Sequence, residues 1–130
     1  MNQSELLNIA KNASKNAIVP ISNYQVGAAL LAKSGTVYIG VNVEDKAIPA
    51  MSVCAERNAI STMITNGEVE IEKVVCIGSD GKFMMPCGAC MEYMMQLSEE
   101  SENIEILKKL ETKESVKLKE LIPIWWGNEK

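Results

Sequence analysis

Hydrophobic residues near the N-terminus recur at helical spacing. Leu6, Leu7, Ile9, Ala10 and Ala13 fall on or near one face, Ser4 stands as a cap, and the pattern runs to about Ala17 before Pro20 ends it. The period then changes: "VGAALLAKSGTVYIGVNVE" (26–44) is two apolar, β-prone runs about a Ser34-Gly35 turn, which predicts a hairpin. After a loop containing Pro49, "SVCAERNAISTMITNG" (52–67) places Ile60, Met63 and Ile64 at helical spacing. Ser52 is its expected cap, Asn66-Gly67 its stop, and Cys54 falls in its first turn. "EKVVCIGSDG" (72–81) suits a central strand. In "MMPCGACMEYMMQL" (84–97), Cys87, Cys90, Met91, Met94 and Met95 share one helical face, so both cysteines are expected to look inward. "NIEIL" (103–107) predicts another strand and "SVKLKELIP" (115–123) a last short helix, while the charged stretch 99–119 reads as a solvated, mobile surface. The order α, β, β, α, β, α, β, α predicts a layered α/β fold, its sheet antiparallel at the hairpin and parallel where helices cross over.

Composition narrows the chemistry. A chain of 130 residues is expected to form one domain over 1–130. No apolar run reaches membrane-spanning length, and the N-terminus lacks the basic-then-apolar layout of a secretory signal, so a cytoplasmic location is expected. In that compartment four cysteines are thiols or metal ligands in preference to disulfides. The net charge of −4, with lysines spread along the chain, argues against a nucleic acid polymer as partner. Histidine is absent, so any metal must rely on sulfur and carboxylate.

The cysteines then carry the question. Cys87 and Cys90, at i and i+3 in a helix start, place two sulfurs on one face where the helix dipole favours thiolate. Two ligands are insufficient: zinc takes three protein ligands plus water in a catalytic site and four in a structural one, which leaves open whether Cys54, Cys76 or both complete the set. "CAE" at the start of one helix and "PCGAC" at the start of another would bring three thiolates together if the two helix starts face each other. Glu56, two positions after a ligand, would then stand beside the metal without binding it, placed to take a proton from water and pass it on. That is the layout of a zinc deaminase with cysteine in the histidine position.

With "YQVGAAL" (24–30), "GVNVED" (40–45), "CAERNA" (54–59), "PCGAC" (86–90) and "ELIP" (120–123) in order, the chain resembles the small cytidine deaminases that act on free nucleosides. The resemblance implies a three-layer fold with a mixed sheet of about five strands flanked by helices. It also implies one zinc ion held by Cys54, Cys87 and Cys90, with Glu56 as the proton shuttle. Asn42 and Glu44 resemble the pair that bonds the ribose hydroxyl, the Ala55 backbone a contact to the base, and Tyr24 a ring that family places nearby. The family is commonly a homotetramer in which a C-terminal aromatic closes a neighbour's site, and Trp126 is similar in placement, with Trp125 the other candidate. The implied reaction is hydrolytic attack at C4 of cytidine or deoxycytidine, yielding uridine or deoxyuridine and ammonia in pyrimidine salvage.

Three thiolates outweigh a divalent ion by one negative charge, so positive groups must offset them. Two helix N-termini supply part, and Arg57, the sole arginine, could hydrogen-bond a cysteine sulfur and supply more. Met91 and Glu92 stand where the family usually has arginine and glutamine, which predicts a weaker or more alkaline-shifted deaminase. The loop "DKAIPAMSV" (45–53) lacks the usual asparagine and aromatic, which keeps a modified cytosine nucleoside or nucleoside antibiotic, as for the blasticidin S deaminases, as the alternative substrate. A non-catalytic zinc module would need Cys76 as fourth ligand; otherwise Cys76 is a small buried side chain in a central strand. A thioredoxin-like redox pair lacks its aromatic context, and "IWW" (124–126) can also be read as a hydrophobic anchor or subunit contact.

Overall fold

Seven consecutive buried positions, Val26–Ala32, form strand β1, and their continuity shows that this strand is covered on both faces. It pairs antiparallel with β2 (Val37–Val41) on one side and with β3 (Ile71–Gly78) on the other. Strand β4 (Glu105–Lys109) runs parallel to β3, and β5 (Glu114–Lys117) closes the sheet antiparallel to β4, giving the order β2-β1-β3-β4-β5. The computed structural model describes residues 1–109 and 114–129. The sheet has the expected mixed character: β2 and β3, joined through a helix, point the same way, as do β3 and β4.

Helix α1 (Gln3–Ser14) lies on one face of the sheet, where Leu6, Leu7 and Ala10 meet Ala29, Leu31, Val75, Ile77 and Leu107. Helices α2 (Ala55–Thr65) and α3 (Gly88–Met95) cover the other face, where Ala59, Ile60, Met63, Cys90 and Met94 meet Leu30, Val74 and Ile106. Each fully buried leucine or isoleucine there stabilises the fold by about 1.5–3 kcal/mol. A short α4 (Leu118–Leu121) follows β5 and buries Leu118 in the same cluster.

Five expectations need correction. The cap of α1 is Asn2, whose side chain accepts from the Glu5 amide at 2.8 Å, and the helix stops at Ser14 instead of near Ala17. Ser52 closes a short 3-10 turn over Pro49–Met51, while Cys54 itself is the cap of α2. Residues 115–117, read as helix, are strand, because they bond to β4. The charged stretch 99–119 is not a mobile surface throughout: Ser101, Ile104, Ile106, Leu107 and Leu118 are buried, and residues 110–113 lie outside the described residues.

Candidate active site and metal centre

Two loops bring the cysteines together. At the end of β2, Val43 and Val53 exchange backbone hydrogen bonds of 3.0 and 2.8 Å, which ties off the loop between them and delivers Cys54 beside Asn42 at the start of α2. After β3 the chain turns back, with the Gly78 amide donating to the Lys82 carbonyl and the Met84 amide donating to the Cys76 carbonyl, both at 2.9 Å. Gly81, at φ +88°, supplies the left-handed residue that this turn needs. The turn places Cys87 as the cap of α3, where its sulfur accepts from the Cys90 amide at 3.4 Å.

The sulfurs of Cys54 and Cys87 are 3.6 Å apart and those of Cys87 and Cys90 3.2 Å, far beyond disulfide length. All three lie within 4.8 Å of one another. Zinc–sulfur bonds of about 2.3 Å at tetrahedral angles require sulfurs about 3.8 Å apart, so a small outward relaxation accommodates the ion. Cys90 is buried as expected, whereas Cys87 is exposed, because a capping residue sits outside the helix whose face was used to place it. Burial raises the Cys87 thiol pKa, but its hydrogen-bond contacts with the Cys90 thiol and amide and with Cys54 outweigh it and bring the group below its ordinary value. Burial and then the Cys87 contact push Cys54 up, and burial with the Glu56 charge pushes Cys90 up. Binding of a cation at the three sulfurs requires their protons to leave.

Arg57 donates from Nη2 to the Cys54 sulfur at 3.8 Å, supplying positive charge where three thiolates gather. Glu56 is 5% exposed. Burial raises its carboxyl pKa, while its own backbone amide, the Cys76 thiol and the nearby Arg57 charge pull the other way. A cavity of about 160 Å³ is lined by Asn42, Cys54, Ala55, Glu56 and Cys87 together with Val26, Cys76, Met84 and Met85. A second, of about 170 Å³, adjoins it through Asn42 and Cys54 and adds Glu44, Ser52, Val53 and Arg57. Two larger surface hollows, of about 340 and 400 Å³, touch no cysteine.

Asn42 is partly committed to the backbone, accepting from the Val26 amide at 2.9 Å and donating to the Tyr24 carbonyl at 3.0 Å; one amide hydrogen and one lone pair remain. Glu44 accepts from the Ile21 and Ser22 amides at 3.0 and 2.9 Å through one oxygen, leaving the other available. Tyr24 does not line the cavity: its hydroxyl donates to Asp80 at 2.8 Å, and its ring packs behind Val26 and Met84. Trp126 is 54% exposed and also away from the cavity, and Trp125 donates its indole N–H to Glu92 of its own chain. Val26, Met84 and Met85 are lining residues that the sequence did not reveal, since Val26 is placed by the pairing of β1 with β3 and the two methionines by the turn after β3. Cys76 stands outside the three-sulfur group, so the closed four-cysteine reading is not favoured.

Three thiols at two helix starts, two of them lining a small cavity with a desolvated carboxylate, fit a zinc hydrolase centre, since three protein ligands would leave a zinc ion one position for water. Residues 1–104 match the family described as the cytidine and deoxycytidylate deaminase zinc-binding region. A probable cytidine deaminase of Dictyostelium discoideum is 36% identical over 104 residues, covering 76% of this chain and 69% of that protein. A cytidine deaminase of Sporosarcina psychrophila is 35% identical over 96 residues, 74% and 70% of the two chains. The crystal structure of cytidine deaminase from Mycobacterium tuberculosis superposes with a TM-score of 0.86 at 27% identity, covering 98% of each chain. The chain belongs to this deaminase family, and its sulfur cluster fits the family's zinc.

Proposed function

We propose that the protein hydrolyses the exocyclic amino group of cytidine and deoxycytidine, releasing ammonia and uridine or deoxyuridine, as one domain over residues 1–130. The observation that carries this reading is the gathering of the Cys54, Cys87 and Cys90 sulfurs within 4.8 Å of one another, with Cys54, Cys87 and the Glu56 carboxylate lining one cavity of about 160 Å³. Cys54, Cys87 and Cys90 would hold a zinc ion, which would supply Lewis acidity to the attacking water. Glu56 takes a proton from the water that adds to C4 and hands it to ring N3. It then carries the second proton to the departing amino nitrogen, so one water is consumed and one ammonia leaves. The raised pKa of the buried carboxyl suits a group that must both accept and return protons.

The apolar walls formed by Val26, Met84 and Met85 suit a flat pyrimidine, and the Ala55 backbone at the first position of α2 offers it a polar edge. The spare amide capacity of Asn42 and the second oxygen of Glu44 border the adjoining hollow and suit a sugar hydroxyl. Tyr24 backs the cavity wall and does not touch the base. A homotetramer, in which Trp126 covers a neighbour's cavity, accounts for the exposure of Ile124 and Trp126 at 88% and 54%. Among the described residues no helix is long and apolar enough to cross a membrane, in keeping with a cytoplasmic role in pyrimidine salvage.

The test follows loss of cytosine ultraviolet absorbance when zinc-loaded protein meets cytidine or deoxycytidine. Turnover is expected, falling about 10²–10⁴-fold in Glu56→Ala at unchanged zinc content. Zinc-loaded wild-type protein without turnover would overturn the proposal.

A further inference from the structure

The turn after β3 carries Met84 and Met85 into the wall of the cavity, and a side chain just before β1 fastens that turn. The Tyr24 hydroxyl donates to Asp80 Oδ1 at 2.8 Å, and the same oxygen accepts from the Lys82 amide at 3.0 Å. That hydroxyl also lies 3.8 Å from the Met84 sulfur. Beside it the Ser79 amide donates to the Gln25 carbonyl at 2.9 Å, so the two segments are joined through backbone as well. Gly78 makes room for the contact, since a Cβ there would collide with the Tyr24 hydroxyl and ring. Tyr24 and Met84 pack against one buried group, of which Val26, Ala55 and Cys76 line the cavity.

We infer that Tyr24 and Asp80 are positioning residues for substrate binding: their hydrogen bond fastens the turn after β3, so that Met84 and Met85 stand as a fixed apolar wall against the pyrimidine. The turn also has backbone bonds of its own, from the Gly78 amide to the Lys82 carbonyl and from the Gly81 amide to the Gly78 carbonyl, both at 2.9 Å. Loss of the hydroxyl therefore leaves the turn and the cysteines in place and frees the unbranched methionine side chains to swing. A wall that packs equally against substrate and transition state changes affinity without changing the chemical step, so its effect falls on KM. Asp80 is exposed, and water competes for its carboxylate, which keeps the effect moderate. This assignment deepens the deaminase reading and rests on it.

Two measurements on the zinc-loaded protein test it. In steady-state kinetics with cytidine, Tyr24→Phe keeps the ring and removes the donor; it should raise KM about fivefold with kcat within about twofold and zinc content unchanged. Asp80→Asn keeps the accepting oxygen without its charge and should raise KM less, and the double variant should be no worse than Tyr24→Phe alone. An unmoved KM in Tyr24→Phe, a loss of kcat accompanied by zinc release, or additive effects in the double variant would overturn the inference. The second readout needs no turnover. With the methionine methyl groups isotopically labelled for NMR, the Met84 resonance, assigned by its loss in Met84→Leu, should move in Tyr24→Phe, while that of Met63 in the core beneath α2 should not. An unmoved Met84 resonance would also overturn the inference. Wild-type protein that does not deaminate cytidine, with the Met84 resonance still moving in Tyr24→Phe, would sink the substrate reading and keep the fastening of the wall.

Discussion

Glycine at position 40 governs how closely the zinc-bearing helix approaches the sheet. A Cβ built there would lie 2.4 Å from both the Ala55 carbonyl oxygen and the Ala59 amide nitrogen, all backbone atoms of α2. Ordinary contact begins near 3.4 Å, so Gly40→Ala must drive α2 outward by about 1 Å. Overpacking of this kind costs about 1–3 kcal/mol, and backbone cannot swing aside as a side chain does, which places the loss near the upper end. For a chain of this length that is a fall in Tm of about 8–12 °C. Helix α2 carries Cys54 at its cap and Glu56 in its first turn, so the displacement also opens the sulfur cluster and shifts the carboxylate. Gly27→Ala provides the matched control. Its Cβ would lie 2.0 Å from the Ala10 carbonyl oxygen of α1, on the opposite face, where no site residue sits. Both variants should lose stability in thermal unfolding. At a temperature where both remain folded, only Gly40→Ala should release zinc more readily to a competing chelator and lose about tenfold or more in kcat/KM. Equal zinc retention in the two variants would refute the reasoning.

Cys87→Ala should leave the ion two sulfurs and abolish both stoichiometric zinc and turnover, read by metal analysis of the purified protein. The Glu44 carboxyl is held below its ordinary value by hydrogen bonds from the Ser22 backbone and side chain and the Ile21 amide, partly opposed by burial. Its stabilisation is therefore full above the unfolded carboxyl pKa of about 4.3 and is lost as pH falls through the lower folded value. Tm measured from pH 3 to 7 should show Glu44→Gln below wild type at neutral pH, with the gap closing in acid. Met91→Arg adds a cation one residue after Cys90. It should move the acid limb of the kcat/KM profile to lower pH by about one unit, the interaction expected for charges ~10 Å apart at an effective dielectric near 20. An unmoved limb would remove Met91 as the cause of any alkaline shift.

How far the sequence carried can be judged from particular residues. The Cys87–Cys90 pair was legible because "PCGAC" announces a helix start that sets two sulfurs on one face, whereas Cys54 in preference to Cys76 as the third member came from the family resemblance. The cap of α2 was misplaced by two residues, since serine is the usual cap and nothing local shows that Val53 bonds back to Val43. Strand β5 was misread because Leu118 and Leu121 share the helical spacing of the following turn, while the bonds that make 115–117 a strand come from β4. Charge density concealed Ile104, Ile106 and Leu107, whose burial depends on helices far away in the chain.

Cys54 and Cys87 are separated by 33 positions, and between them run the whole of α2 and β3. An ion bridging the two is therefore a cross-link closing most of one βαβ crossover. By loop entropy alone such a closure is worth about 4 kcal/mol against the unfolded chain, a sizeable share of the 5–15 kcal/mol typical of a domain. Zinc starvation would on this account do more than silence the enzyme: newly made chains would lack the tie between the starts of the second and third helices, and the cell's proteases would meet them half-assembled.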